Sequence, residues 1–195
     1  MSLQDRIISH FTDNIQFHQE SMVSLCELIE YSAQSLATVL LNDKKILCCG
    51  NGHSASCVHL FSSAMLNQFE RDRPALPVFA LTGDTATITG IACDYTFDEV
   101  YAKQLRALGD SGDVLLVFTE SGASASLIKA INAAHDKGLM VIAISGRKGD
   151  ALNLFLKETD IAICVQSQSA ARILEVQILI THCLLDLIDH QLFGG

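Results

Sequence analysis

The hydrophobic pattern of this 195-residue chain changes period once, near residue 42. Before that point Ile8, Phe11, Ile15, His18, Met22, Leu25 and Ile29 recur at alternating spacings of three and four. That narrow seam is the pattern of helix packed on helix. The first forty residues read as helix, with 32–41 a second helix or a bent extension, ended by Asn42-Asp43. Beyond it lie five short apolar runs at 45–49, 77–81, 114–118, 139–144 and 161–165. They are rich in Val, Ile and Leu and do not alternate, as strands buried on both faces should not. Helical stretches near 53–70, 84–93, 97–109, 123–137 and 168–191 separate or follow them. Strand and helix in alternation predict an α/β fold, a doubly wound sheet of five parallel strands flanked by helices. The division expected is a helical oligomerisation segment over 1–42 and one domain over 43–195.

The final helix carries Ile173, Leu174, Val176, Ile178, Leu179, Ile180, Cys183, Leu184, Leu185, Leu187 and Ile188, which cover nearly every face. A helix apolar all round is buried all round. In so short a chain this predicts a second copy as neighbour, hence a homo-oligomer.

Composition narrows the class. Hydrophobic residues make up 49% and charged residues 18%, enough for a full core. The net charge of −9 argues against a direct nucleic-acid groove, which relies on Lys and Arg. No apolar run approaches the roughly 18 residues of a membrane span, so no membrane partner is expected. Seven cysteines, an odd count without a CxxC pair and set in apolar segments, predict buried thiols in a reducing cytoplasm. His53 and Cys57 stand four apart on a predicted helix, but no second pair accompanies them.

In parallel sheets ligands bind beyond the carboxyl ends of the strands. The first strand runs into Gly50-Asn51-Gly52-His53-Ser54, and the third into Thr119-Glu120-Ser121-Gly122-Ala123-Ser124. Glycines admit an anion close to the backbone, the helix that follows offers N–H groups, and the hydroxyls donate. Ser54 and Ser56 add hydroxyl donors, so the two loops together are a candidate anion or phosphosugar site, with helix capping the competing use of Ser and Thr. Glu120 opposes a dianion if it points inward. Gly50-x-Gly52-x-x-Ala55 also fits a loose dinucleotide fingerprint, but Asp84 lies about thirty residues on, where about twenty is wanted.

These loops, with Arg73-Pro74, Asp94, Gly112-Asp113-Val114-Leu115-Leu116, Ile128-Lys129-Ala130, Arg172-Ile173 and Glu175, resemble the sugar isomerase (SIS) domain family, specifically its phosphoheptose isomerase group. The resemblance implies an SIS-type sheet with an N-terminal helical extension and a long buried C-terminal helix. The isomerases use a divalent metal, usually zinc, and isomerise sedoheptulose 7-phosphate. Their metal and acid/base positions fall on Leu60, Ala64 and Leu174, and only His182 is retained. His59 is one residue away from the first, about 100° round a helix. Asn51, Gly52, Ser54, Thr119, Ser121 and Ser124 match the family's phosphate-loop pattern, so the resemblance implies them as the phosphosugar contacts, while the Glu120 position is Thr in isomerases and Ala123 replaces an Asn. The implied catalytic set is thus empty and no cofactor is expected, zinc entering only if the chain is an isomerase after all.

Three further strings, 45–52, 98–109 and Asp186-Leu187-Ile188-Asp189 with Leu192-Phe193, are most similar to members of the group that associate with the replication initiator DnaA. That likeness implies a non-catalytic homotetrameric adaptor that binds DnaA and promotes its assembly at the origin, with Leu192 and Phe193 as the partner contact. The alternatives are a phosphoheptose isomerase and a sugar-phosphate-binding regulator.

Overall fold

The computed structural model describes residues 1–122, 124–146 and 150–194. Helix α1 (Leu3–Leu41) is one continuous helix of 39 residues. The expected break near residue 32 is absent, because no Gly or Pro interrupts the segment. Ser2 opens it with a capping box, its Oγ accepting from the Asp5 amide at 3.0 Å while the Asp5 carboxylate accepts from the Ser2 amide at 2.7 Å. Asp43, in the left-handed region at φ 57°, turns the chain out of the helix.

Strands β1 (Ile46–Gly50), β2 (Val78–Ala80), β3 (Val114–Phe118), β4 (Met140–Gly146) and β5 (Ile161–Val165) form one parallel sheet in the order β2-β1-β3-β4-β5. Helices α2 (Ser54–Leu66), α3 (Thr85–Asp94), α4 (Val100–Leu108), α5 (Ala125–Asp136), α6 (Asp150–Asn153) and α7 (Ala170–Phe193) complete the fold. The 97–109 stretch divides into a 3₁₀ turn, Phe97–Glu99, and α4. The short α6 has no counterpart in the hydrophobic pattern.

The pleat sends alternate residues to opposite layers. Ile46 and Cys48 join a core with Leu36 of α1, Phe61 of α2 and Ile180 of α7. Leu47 and Cys49 join a second core with Leu105 of α4 and Leu127 of α5. The C-terminal half of α1 therefore shares a core with the sheet. Its first turns are tied to α7 by polar groups: Arg172 donates to the His10 carbonyl at 2.7 Å and Asn14 to Glu175 at 2.7 Å.

Among the described residues, little covers the apolar seam on the outer half of α1. Phe11 is 70% exposed and Met22 65%. Helix α7 is not buried all round in the single chain either, since Leu179 is 43% exposed on the side facing α1. Among the described residues no helix is long and apolar enough to cross a membrane.

Candidate functional site

β1 has β2 on one side and β3 on the other, so the strand order reverses between β1 and β3. The crevice beyond their carboxyl ends is the switch point at which α/β sheets bind ligands. Gly50 pairs with Phe118 in the ladder, which sets the two hydroxyl-bearing loops side by side. The approach is close. A Cβ on Gly50 would lie 2.8 Å from the Phe118 carbonyl oxygen, so only glycine fits. Gly52 follows in the left-handed region at φ 57°, again a glycine conformation, and α2 begins two residues later.

Side chains knit the two loops together. The Asn51 amide nitrogen donates to Ser124 Oγ at 2.8 Å and to Ser126 Oγ at 2.9 Å. The Tyr101 hydroxyl lies 3.0 Å from Asn51 Oδ1 and 2.9 Å from the Gly50 carbonyl, and orients the amide from α4. Burial pushes the Tyr101 phenol well up, so it stays a donor. Thr119 Oγ1 donates to the Gly122 carbonyl at 3.1 Å and accepts from the Gly122 amide at 3.2 Å, which closes the β3 loop on itself. Beneath, the buried Gln177 of α7 donates to the carbonyls of Thr119 at 2.8 Å and Ile144 at 3.2 Å. Ser54, fully buried, reaches Gln177 Oε1 at 3.5 Å.

Asn51, Gly52, Ser54, Thr119, Ser121 and Ser124 thus come from two adjacent loops at one sheet edge. Ser121 is exposed at the mouth. Ala123 lies outside the described residues. Three members of the network, Tyr101, Ser126 and Gln177, were not expected from sequence. Gln177 carried a readable signal, a lone amide inside the apolar Val176-Gln177-Ile178 run. Glu120 points across to the β1 loop, with Oε1 3.6 Å from His53 Nδ1. Asp84 is the cap of α3: its carboxylate accepts from the Ala86 and Thr87 amides and the Thr87 hydroxyl, and these bonds hold its pKa down. It is engaged as a helix cap, not as a ribose acceptor.

The positions that the isomerase resemblance assigns to metal and proton transfer are occupied by packing. Ala64 and Leu174 rest against the core, and the Ala64 carbonyl accepts from Arg73 at 2.9 Å. His182 stacks on Phe69, ring centroids 5.7 Å apart. His59 faces the loop after β2, its Nε2 3.2 Å from Thr82 Oγ1. His53 is exposed while Cys57 is buried, so the i,i+4 pair does not converge. Among the described residues no three His, Cys, Asp or Glu side chains are placed to hold a metal ion. A catalytic zinc needs about three protein ligands, so this donor set does not fit one.

At the far end of α7, Leu192 packs on the core and Arg71 lies over the Phe193 ring, 5.6 Å from its centroid. The Arg71 guanidinium also donates to the Gly194 carbonyl. Both residues sit in contacts made within the chain.

Comparison with known proteins fits this architecture. The SIS domain family matches residues 10–146. The phosphoheptose isomerase of Methylococcus capsulatus is 53% identical over 194 residues, covering 100% of both chains. That of Chromohalobacter salexigens is 47% identical over 195 residues, covering 100% of this chain and 99% of its own. The structure of a phosphoheptose isomerase from Francisella tularensis superposes with a TM-score of 0.92 at 40% identity, over 97% of this chain and 100% of that one. The chain belongs to the SIS-domain family, in its phosphoheptose isomerase-like group. This corrects the reading as a non-catalytic, DiaA-like adaptor for DnaA: relatives matching at 45% to 53% identity across the full length bear the name phosphoheptose isomerase.

Proposed function

We propose that this chain acts on a sugar phosphate as a protein of the phosphoheptose isomerase type, binding it beyond β1 and β3. One observation carries the reading: two Ser/Thr-bearing loops brought together at the switch point of a chain that matches phosphoheptose isomerases end to end. Asn51, Gly52, Ser54, Thr119, Ser121 and Ser124 are the assigned contacts. Amides and hydroxyls at a helix start suit a phosphate. A second reading, a regulator that binds the sugar phosphate without turning it over, is favoured by the apolar side chains of Leu60, Ala64 and Leu174.

Purified protein incubated with sedoheptulose 7-phosphate, with and without zinc, separates the two. Isomerised product supports the first. A thermal upshift without product supports the second. Neither product nor upshift would overturn both.

We also propose that α1 mediates self-association into the homotetramer that the family resemblance implies. Support comes from the exposed seam on α1 and from an apolar groove of about 410 Å³ between α1 and α7, lined by Met22, Leu25, Ile29, Leu179, Cys183 and Leu187. Cys48, Cys49 and Cys57 are thiols buried in the cores, which accords with a reducing, cytoplasmic setting.

A further inference from the structure

Glu120 is out of keeping with the loop that carries it. Its neighbours offer hydroxyls and amides, all suited to an anion, while Glu120 brings a carboxylate to the same crevice. Its side chain is 24% exposed and leans from the β3 loop toward the β1 loop. Oε1 stands 3.6 Å from His53 Nδ1, too long for a hydrogen bond. Oε2 is shielded from solvent and has no hydrogen-bond partner among the described residues. An ionised carboxylate only accepts, and a buried acceptor left without a donor is costly. That cost falls when a donor arrives.

The site's own chemistry selects which donor. An ester phosphate dianion brings no proton, and the monohydrogen dianion of free phosphate brings its one proton together with full like charge. A sugar hydroxyl is neutral and donates. We propose that Glu120 is a specificity-determining residue, its unpaired oxygen accepting a hydroxyl of the sugar and turning away free phosphate. The ligand class is then a polyhydroxylated sugar phosphate, held at its phosphate by the Ser/Thr loops and read at a hydroxyl by Glu120. This rests on the sugar-phosphate reading above and adds the residue that discriminates within it.

The pairing is testable by calorimetric titration of the wild type, Glu120→Gln and Glu120→Thr with sedoheptulose 7-phosphate and, separately, with inorganic phosphate. Losing a hydrogen bond to a charged acceptor should weaken the sugar phosphate by about tenfold or more in Glu120→Thr. Inorganic phosphate should bind more tightly to both variants than to the wild type, since each removes the negative charge. Glu120→Gln, which keeps the acceptor oxygen, should fall between for the sugar phosphate. An unchanged ratio of the two affinities in Glu120→Thr overturns the role of Glu120 and leaves the sugar-phosphate reading standing. A wild type that binds neither probe overturns that reading, and this one with it.

Discussion

Gln177 and Thr119 join the last helix to the candidate site: the Gln177 amide donates to the Thr119 carbonyl at 2.8 Å, and no part of Gln177 reaches solvent. The same nitrogen reaches the Ile144 carbonyl at 3.2 Å, so one side chain ties the ends of β3 and β4. Gln177→Leu keeps the volume and removes the donor. Both carbonyls keep a backbone donor, the Gly146 amide on Thr119 at 3.2 Å and the Thr119 amide on Ile144 at 3.0 Å, so the loss is that of ordinary hydrogen bonds, about 0.5–1.5 kcal/mol each. Urea denaturation should show that loss, and sugar-phosphate affinity should fall as the β3 loop loses its support. Wild-type stability in Gln177→Leu would show that the carbonyls find other partners.

A second buried anchor sits where α7 ends. Arg73 donates through Nε to Asp189 Oδ1 at 2.7 Å and through its other nitrogens to the carbonyls of Met65 at 2.9 Å, Pro74 at 3.0 Å and Ala64 at 2.9 Å. The side chains are 1% and 5% exposed. Asp189 Oδ2 already lacks a hydrogen-bond partner among the described residues. Arg73→Met strands the remaining charge, and breaking such a pair costs about 3–5 kcal/mol. The double variant Arg73→Met with Asp189→Leu should recover part of that loss in the same denaturation measurement. A double variant no better than Arg73→Met would assign the cost to the lost carbonyl bonds instead.

Much of this was legible in the sequence. Non-alternating apolar runs marked all five strands: β1 and β3 are buried at every position and so have no polar side, while the edge strand β2 is apolar although Phe79 is 46% exposed. The switch point followed from where β1 and β3 end, and its glycines and hydroxyls marked the loops. What stayed hidden were contacts between distant residues. Tyr101 reaches Asn51 across the β1–α4 layer, and nothing local to Val100-Tyr101-Ala102 signals it. Gln177 reads as one polar residue on an apolar helix until the sheet edge is laid against it. The adaptor reading failed for a related reason. Strings such as 98–109 carry Tyr101 to the same Asn51 that the isomerase-like loops present, so likeness there does not part an adaptor from an isomerase.

Thiol chemistry separates the cysteines by depth. Burial pushes the Cys57 thiol up to about 11, against a hydrogen bond with Thr181 that pulls the other way, and burial also raises Cys48 and Cys49. Only the thiolate reacts. In the native protein at pH 8 an aromatic disulfide reagent should label Cys93, which is exposed on α3 away from the α1–α7 groove, and spare Cys48, Cys49 and Cys57 until denaturant is added. The linkage has a definite sign. The folded state holds the Cys57 proton to about 11, whereas an unfolded thiol releases it near 9. The contribution is complete below about 9 and is lost as pH rises toward 11. Stability should therefore fall across that alkaline window, and less steeply in Cys57→Ala. Fast native labelling of Cys57 would contradict its burial.

The outer half of α1 gives the most direct test of assembly. Ile8 is 62% exposed, Phe11 70%, Ile15 57% and Met22 65%, an apolar stripe at helical spacing open to water in the single chain. Monomeric proteins rarely leave so continuous an apolar surface to water. The stripe leads into the groove against α7, so a neighbouring copy that covers one covers the other. Phe11→Glu with Ile15→Glu places two charges on that surface and leaves the C-terminal half of α1, which carries Leu25, Ala33 and Leu36 into the core, untouched. Light scattering coupled to gel filtration should give an oligomer for the wild type and a mass near 21.1 kDa for the variant, with the helical content retained. A wild type already at 21.1 kDa would mean that α1 stands exposed for some other partner, and the self-association reading would fall.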